Sequence, residues 1–222
     1  MNYLELVNDM LIETDYSDQI TTVVGLTDDE LRASIWVRDA WTQIQRQERW
    51  SFMAKEGNLF TVVGQSTYDL GDISYVVAPL LTAPTVNRVD PTSFRNETSE
   101  IYMRGVSTNN LRWQTDTGSA RLIAVNPDRS FVLGPIPSAV ESLSMDTWTN
   151  PVILSDDTDV PSMEPQYHKA IVWLAIANYA REQGGEWAGL RQTALHEYRI
   201  MLINLSNDYL PIMDRKVGLL RY

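Results

Sequence analysis

Two changes of hydrophobic period divide this chain. Apolar residues recur at helical spacing up to about residue 56, fall into short β-branched runs from 57 to 159, and return to helical spacing over 160–208. A chain that switches period twice builds helix, sheet and helix in turn. Its two helical ends must then find each other across the middle. The reading is α+β: a helical bundle from 1–56 and 160–208, an inserted small β-sandwich or barrel over 57–159, and an extended C-terminal tail over 209–222.

The first helix covers 3–13, with Leu4, Val7, Met10 and Leu11 on one stripe. Thr27-Asp28-Asp29-Glu30 has the form of a capping box, and the helix behind it carries Leu31, Ile35, Trp36, Ala40, Trp41 and Ile44 on one face. Strands are predicted at 59–63, at 68–70, and at 74–78, 100–103, 111–113, 121–125, 130–133 and 143–148, separated by Gly and Pro. Ser162 is placed to cap a third helix, with Pro165 in its first turn. Residues 170–180 are apolar nearly all round, which predicts the buried centre of the helical part. Gly184-Gly185 ends that helix, and a fourth carries Trp187, Leu190, Ala194, Tyr198, Met201, Leu202 and Leu205 before Pro211 stops it.

Composition excludes several kinds of function. The 222 residues hold no cysteine, so thiol nucleophiles and Cys-ligated metals are out, and two histidines cannot make a three-histidine site. A net charge of −11 opposes general binding to nucleic acid, which needs a basic surface to displace counterions. The longest apolar run, 170–177, is far below the ~20 residues of a membrane helix. The opening residues lack a basic stretch followed by an apolar one, so the expectation is synthesis and retention in a cytoplasm.

No stretch carries a reactive motif. Asp156, Asp157 and Asp159 offer three carboxylates in four residues, but without the glycine turn and distal glutamate of a calcium loop they read as a solvated turn. His168 and His196 read as core-edge histidines. Neither a nucleophile elbow nor a phosphate-binding glycine loop occurs, so no catalytic residue, metal ligand or cofactor is predicted. Trp36, Trp41, Trp173 and Trp187 fall on helix faces and read as packing; Trp113 and Trp148 lie in the β part. The last fourteen residues reverse the charge of the chain, with Arg215, Lys216 and Arg221 against Asp214. Among them stand Ile212, Met213, Val217, Leu219, Leu220 and Tyr222, too apolar for a solvated end. These nine apolar and basic residues, 212–213, 215–217 and 219–222, are the candidate partner-binding site.

Certain motifs carry a resemblance. Tyr3-Leu4-Glu5-Leu6-Val7-Asn8 opens the chain, and Trp50-Ser51-Phe52 closes the second helix. Thr61-Val62-Val63-Gly64-Gln65-Ser66-Thr67-Tyr68-Asp69-Leu70 has the form T-V-x-G-x-x-x-Y-x-L. Asp157-Thr158-Asp159-Val160-Pro161 precedes Tyr167-His168-Lys169-Ala170-Ile171-Val172. In this order the motifs resemble the head–tail adaptor (connector, or head-completion) proteins of tailed bacteriophages, including the podophage tail tubular protein A type. The stretch 79–110 matches no pattern of that family.

The resemblance implies a structural virion protein in the neck, between capsid and tail. It implies a ring of identical subunits, usually twelve, docked beneath the portal protein and above a downstream tail or nozzle protein. The C-terminal extension would grip the portal, and genomic DNA would meet the ring only in passage; no enzyme activity, cofactor or membrane is implied. An acidic chain suits such a channel, since like charge keeps a passing duplex from sticking. The rival reading is a monomeric module whose β part binds carbohydrate or another ligand through Trp113, Trp148 or nearby tyrosines. The charge makes a first prediction: at physiological salt the isolated protein shows no retardation of random duplex DNA, and tight, salt-sensitive binding would contradict it.

Overall fold

The computed structural model describes residues 1–15, 19–75, 85–111 and 114–210. In chain order these form α1 (Tyr3–Glu13), α2 (Asp28–Gln47), β1 (Ala54–Phe60), β2 (Thr67–Tyr68), β3 (Ser74–Tyr75), β4 (Val86–Val89), β5 (Arg95–Asn96) and β6 (Ile101–Tyr102). There follow β7 (Arg104–Gly105), the single-turn α3 (Thr108–Leu111), β8 (Thr117–Gly118), β9 (Leu122–Val125), β10 (Phe131–Gly134), β11 (Ile136–Pro137) and β12 (Ser142–Thr149). Two long helices, α4 (Lys169–Gln183) and α5 (Ala188–Tyr209), complete the described chain. The fold is α+β. It divides into a unit built from Met1–Met53 and the chain from Pro151 onward, and a second unit, Ala54–Asn150.

In the helical unit α4 supplies the centre. Ala170, Ile171, Val172, Leu174, Ala175, Ile176, Ala177 and Ala180 are all buried, leaving no solvent face along most of its length. Each fully buried isoleucine or leucine is worth roughly 1.5–3 kcal/mol of apolar transfer. Leu6, Val7, Met10 and Leu11 of α1, and Ala33, Val37, Ala40, Trp41 and Ile44 of α2, turn their stripes inward. Trp50 is fully buried, and its indole Nε1 donates to the Ile44 carbonyl at 2.6 Å.

The polar ends are held by side chains serving backbone groups. Asn2 caps α1, accepting from the Glu5 amide while the Glu5 carboxylate accepts from the Asn2 amide. The free amides of Tyr3 and Leu4 donate to the carbonyls of Asp159 and Asp157 at 2.8 and 3.3 Å, so a turn more than 150 residues away caps α1 as well. Gln45 of α2 does the same for the chain re-entering from the β unit. Its Oε1 accepts from the Val152 amide at 2.8 Å and its Nε2 donates to the Val152 carbonyl at 3.0 Å.

In the β unit, β12 is the axis. On one side β1 pairs with it antiparallel from Ala54↔Trp148 to Phe60↔Ser142; on the other, β5 and then β4 take successive stretches of its edge. Ala54 and Trp148 are direct partners, so the two ends of the insertion meet. A second sheet runs β2-β10-β9-β7, and β11 pairs with β8 in parallel. Side chains from both larger sheets meet in one cluster that includes Leu59, Val89, Phe94, Leu143 and Met145 with Tyr68, Ile123, Phe131 and Leu133. Beside that cluster the buried Glu141 carboxylate accepts from the Ala120 amide at 3.0 Å and from Asn96 Nδ2 at 2.9 Å.

Several sequence expectations are corrected. Of the sandwich and barrel alternatives, the sheets among the described residues do not close into a barrel. The units divide at Ala54 and Asn150 rather than at 57 and 159, because β1 and β12 extend their ladder to Ala54↔Trp148 and Gln45 draws 152 to the helices. The Thr27 box does not form: Asp28 enters the helix at φ 51° and the Thr27 hydroxyl makes no cap bond. Ser162 does not cap α4, whose start at Lys169 follows a 3₁₀ turn, Pro165–Tyr167. Leu70 lies in a 3₁₀ turn and Leu111 ends α3, while 76–78, 112 and Trp113 lie outside the described residues. Strands β4, β5, β7, β8 and β11 were not expected.

The β1–β12 contact yields a second prediction. A Cβ on Gly57 would stand 2.7 Å from Ile73 Cγ2 and 2.8 Å from Thr147 Cγ2, both branched and packed. Gly57→Ala therefore destabilises by about 1–3 kcal/mol through overpacking, read as a lowered denaturation midpoint. The same change at Gly71, where a Cβ meets nothing within 4 Å, serves as the neutral control.

Candidate partner-binding region at the end of α5

The nine residues singled out for partner binding, from Ile212 and Met213 through Arg215, Lys216 and Val217 to Leu219, Leu220, Arg221 and Tyr222, lie outside the described residues. The structure describes instead the point they leave from. That point is fixed by rings. Phe52 stacks between Trp41 and Trp50 at 5.9 Å from each, and its other edge meets Tyr209 at 5.2 Å in a T-shaped contact. Tyr209 in turn meets Tyr167 edge-on at 6.0 Å, and its hydroxyl accepts from the Glu164 amide at 3.1 Å. Such ring pairs add about 0.5–1.5 kcal/mol each beyond burial.

The Tyr167 hydroxyl donates to Asp208 Oδ2 on the last turn of α5. Burial first, and then that carboxylate, push the Tyr167 phenol up to about 12, so it remains a donor across the physiological range. Leu210 is buried, and its amide donates to the Ser206 carbonyl as the helix ends in extended backbone. Further back, Tyr198 donates to Gln47 Oε1 at 2.7 Å and ties α5 to the end of α2.

Along α5 runs an open groove of about 440 Å³, walled by Gln166 and Tyr167 on one side and by Glu197, Ile200, Met201, Asn204, Asn207 and Asp208 on the other. Ile200 and Ile203 of α5 are exposed, and only Ala194, Tyr198, Leu205 and Ser206 of this long helix are buried. The fourth helix is thus less buried than its apolar content implies.

The remaining candidate groups serve structure. Asp157 Oδ1 accepts from the Val23 amide at 2.6 Å and from the Thr22 hydroxyl at 3.2 Å. Asp159 Oδ2 accepts from the amides of Ser155 and Asp156. Burial raises the Asp159 carboxyl, but those bonds outweigh it and hold the group below the usual carboxylate range. The expected solvated turn is therefore a clasp between α1, the 19–27 loop and the approach to α4. Among the described residues no three His, Asp or Glu come together for a metal.

Of the tryptophans read as core, Trp41 is fully buried, whereas Trp36, Trp173 and Trp187 are half-buried. Trp173 is the one residue of 170–177 that is not fully inside. Trp187 packs edge-on to Tyr179 at 5.4 Å. Trp148 is half-buried in the centre of its sheet, opposite Ala54 and Arg88.

His168 is completely buried, not at the core edge, while His196 is exposed. Its Nε2–H donates to the Met163 carbonyl at 3.0 Å, and its Nδ1 accepts from the Met1 α-amine at 2.7 Å. Burial chiefly, aided by the α-ammonium and opposed by the Met163 bond, depresses its pKa.

Most of these polar side chains answer backbone amides and carbonyls, and Tyr167–Asp208 and Tyr198–Gln47 join side chains of different elements. The SU10 adaptor protein family matches residues 1–209, and the chain belongs to that family. It is a structural adaptor protein of a bacteriophage and a virion component. No curated protein matches the chain. Among the described residues no helix is long and apolar enough to cross a membrane.

The buried imidazole makes a third prediction. Below about pH 6.5 the unfolded histidine takes up a proton that folded His168 refuses. Its contribution is complete above that pH and is lost as the pH falls toward the depressed folded value. The melting temperature of the intact protein therefore drops between about pH 6.5 and 5, and His168→Gln flattens that drop. An equal slope in both proteins would contradict the assignment.

Proposed function

We propose that this chain is a ring subunit of the phage neck, of the podophage tail tubular protein A type. Twelve copies close into a ring beneath the portal protein and above the downstream tail or nozzle protein. Genomic DNA passes through the channel without being bound, and the chain carries out no chemistry. The observation that carries the reading is the match to the adaptor family over 1–209, one residue short of the buried Leu210, with a basic and apolar segment continuing beyond it. Ring contacts with Phe52 and Tyr167 fix Tyr209 at the end of α5. The net charge of −11 suits a channel that DNA must leave freely.

In this reading residues 211–222 grip the portal, their apolar side chains buried against it and Arg215, Lys216 and Arg221 set against acidic partner surface. Burial of Leu219, Leu220 and Tyr222 has to exceed the entropy lost on ordering, which is of order 1–2 kcal/mol per residue for the backbone. Removing 211–222 takes away none of the ring ladder or of the α4 core, so the truncated protein keeps its melting temperature. Its attachment to portal-bearing heads, followed by sedimentation, falls at least tenfold. Attachment equal to that of the full chain would show that the grip lies elsewhere.

A further inference from the structure

We propose that the β unit carries both halves of a contact between copies of this chain. An uncharged apolar knob at one end of β12 enters an apolar recess edged by arginines at the other end of β12 in a neighbouring copy. The β1–β12 ladder sets the knob. Phe60 stands opposite Ser142, and beyond that pair the Thr61 amide donates to the Glu141 carbonyl at 2.9 Å. The alternation of faces continues past the strand ends. Leu59, Thr61, Glu141 and Leu143 are buried, while Phe60, Val62 and Val140 turn outward and are 62, 53 and 63 % exposed. Val63 joins them at 58 %. The backbone beneath is tied down. The Thr61 hydroxyl accepts from the Glu141 amide and donates to the Ala139 carbonyl. The Tyr68 hydroxyl accepts from the Val62 amide, and the Gly64 amide donates to the Pro137 carbonyl. No charged residue falls within 57–68 or 130–140, in a chain where 21% of residues are charged. A fixed apolar projection of this kind marks an interaction surface.

The recess lies toward the other end of β12. Leu70, Val89, Pro91 and Val125 wall a cavity of about 430 Å³ that Asn87, Arg88 and Arg129 complete. Val89 and Arg88 pair with Thr147 and Trp148, whereas Phe60 pairs with Ser142. From Ser142 to Thr147 is about 17 Å along a strand. The knob therefore does not fill the recess of its own copy. Charge selects a second copy as the occupant. No acid lines the recess, Arg129 Nη1 donates to Asn87 Oδ1 at 2.9 Å, and among the described residues neither arginine forms an ion pair. Two copies at −11 each repel. Contact through an uncharged projection, with two guanidinium groups turned to the acidic neighbour, offsets that repulsion. The contact joins unlike surfaces, so it repeats from copy to copy. Closure of the repeat into a ring rests on the function proposed above; the contact itself does not.

The chain has no cysteine, so a thiol can be placed at each surface in turn. Full-length Val62→Cys and full-length Val125→Cys, carrying different affinity tags, are mixed under mild oxidation; both positions are exposed. A disulfide needs Cα atoms within about 7 Å. The expected result is a disulfide between differently tagged copies, formed at least tenfold faster than either protein crosslinks alone. Adding the exposed-site change Val63→Asp to the first protein slows it at least tenfold and leaves the melting temperature unchanged. Val62→Cys crosslinking to itself as fast as in the mixture would show that the knob meets its own counterpart. Absence of any disulfide between copies would show that a different protein covers the face. Either result overturns the proposal. Val62→Cys and Val125→Cys in one chain read ring closure separately. Crosslinks that run beyond pairs agree with a ring. Crosslinks that stop at pairs leave the contact standing and remove the ring.

Discussion

Everything in the helical unit depends on α4 being buried on nearly every side. It packs on α1, on α2 and on α5, so the apolar stripes of the first two helices have no cover until a segment from beyond the insertion arrives. Closing a flexible loop of about 100 residues costs roughly (3/2)RT ln n, about 4 kcal/mol. The β unit offsets that cost by its own folding. Once β1 and β12 have paired from Ala54↔Trp148 inward, the ends of the insertion are already neighbours, and the remaining search is short. Gln45, clamped on both polar atoms of Val152, then fixes where the returning chain enters.

The polar residues follow the same logic. Asp157 and Asp159 lend their carbonyls to the first turn of α1 and their carboxylates to the 19–27 loop and to their own turn. Glu141 and Asn96 answer each other and Ala120 beside the β core. Leaving such a buried donor or acceptor unmet costs about 1–3 kcal/mol, which gives each of these side chains a structural reason to be there. The aromatic run from Trp41 through Phe52 and Tyr209 to Tyr167 extends this rigidity to the last turn of α5.

The helices were legible because their signal is long. Leu4, Val7, Met10 and Leu11 recur at helical spacing over about two turns, and the apolar stretch at 170–180 is too long for a strand. Strands β5 to β8 and β11 have two residues each, and no alternation can be recognised in two positions. The Thr27 box failed at one dihedral, the positive φ of Asp28, which residue types do not encode. Trp173 and Trp187 were assigned to the core by helix face alone. Whether a face is covered depends on which element lies opposite, and that is a tertiary fact. For the candidate region, composition pointed to the basic and apolar end. The groove along α5, and the bond from Tyr167 to Asp208, join residues about forty positions apart and left no local trace.

The central claim is that this body places the end of α5 against the capsid portal as one of a closed set. Electron cryomicroscopy of the assembled neck tests it most directly. The account predicts a twelve-fold ring of this chain under the portal, with Tyr209 and Leu210 of every copy on the portal side and an open channel along the axis. A neck in which this chain is absent, or present as single copies away from the axis, would contradict it.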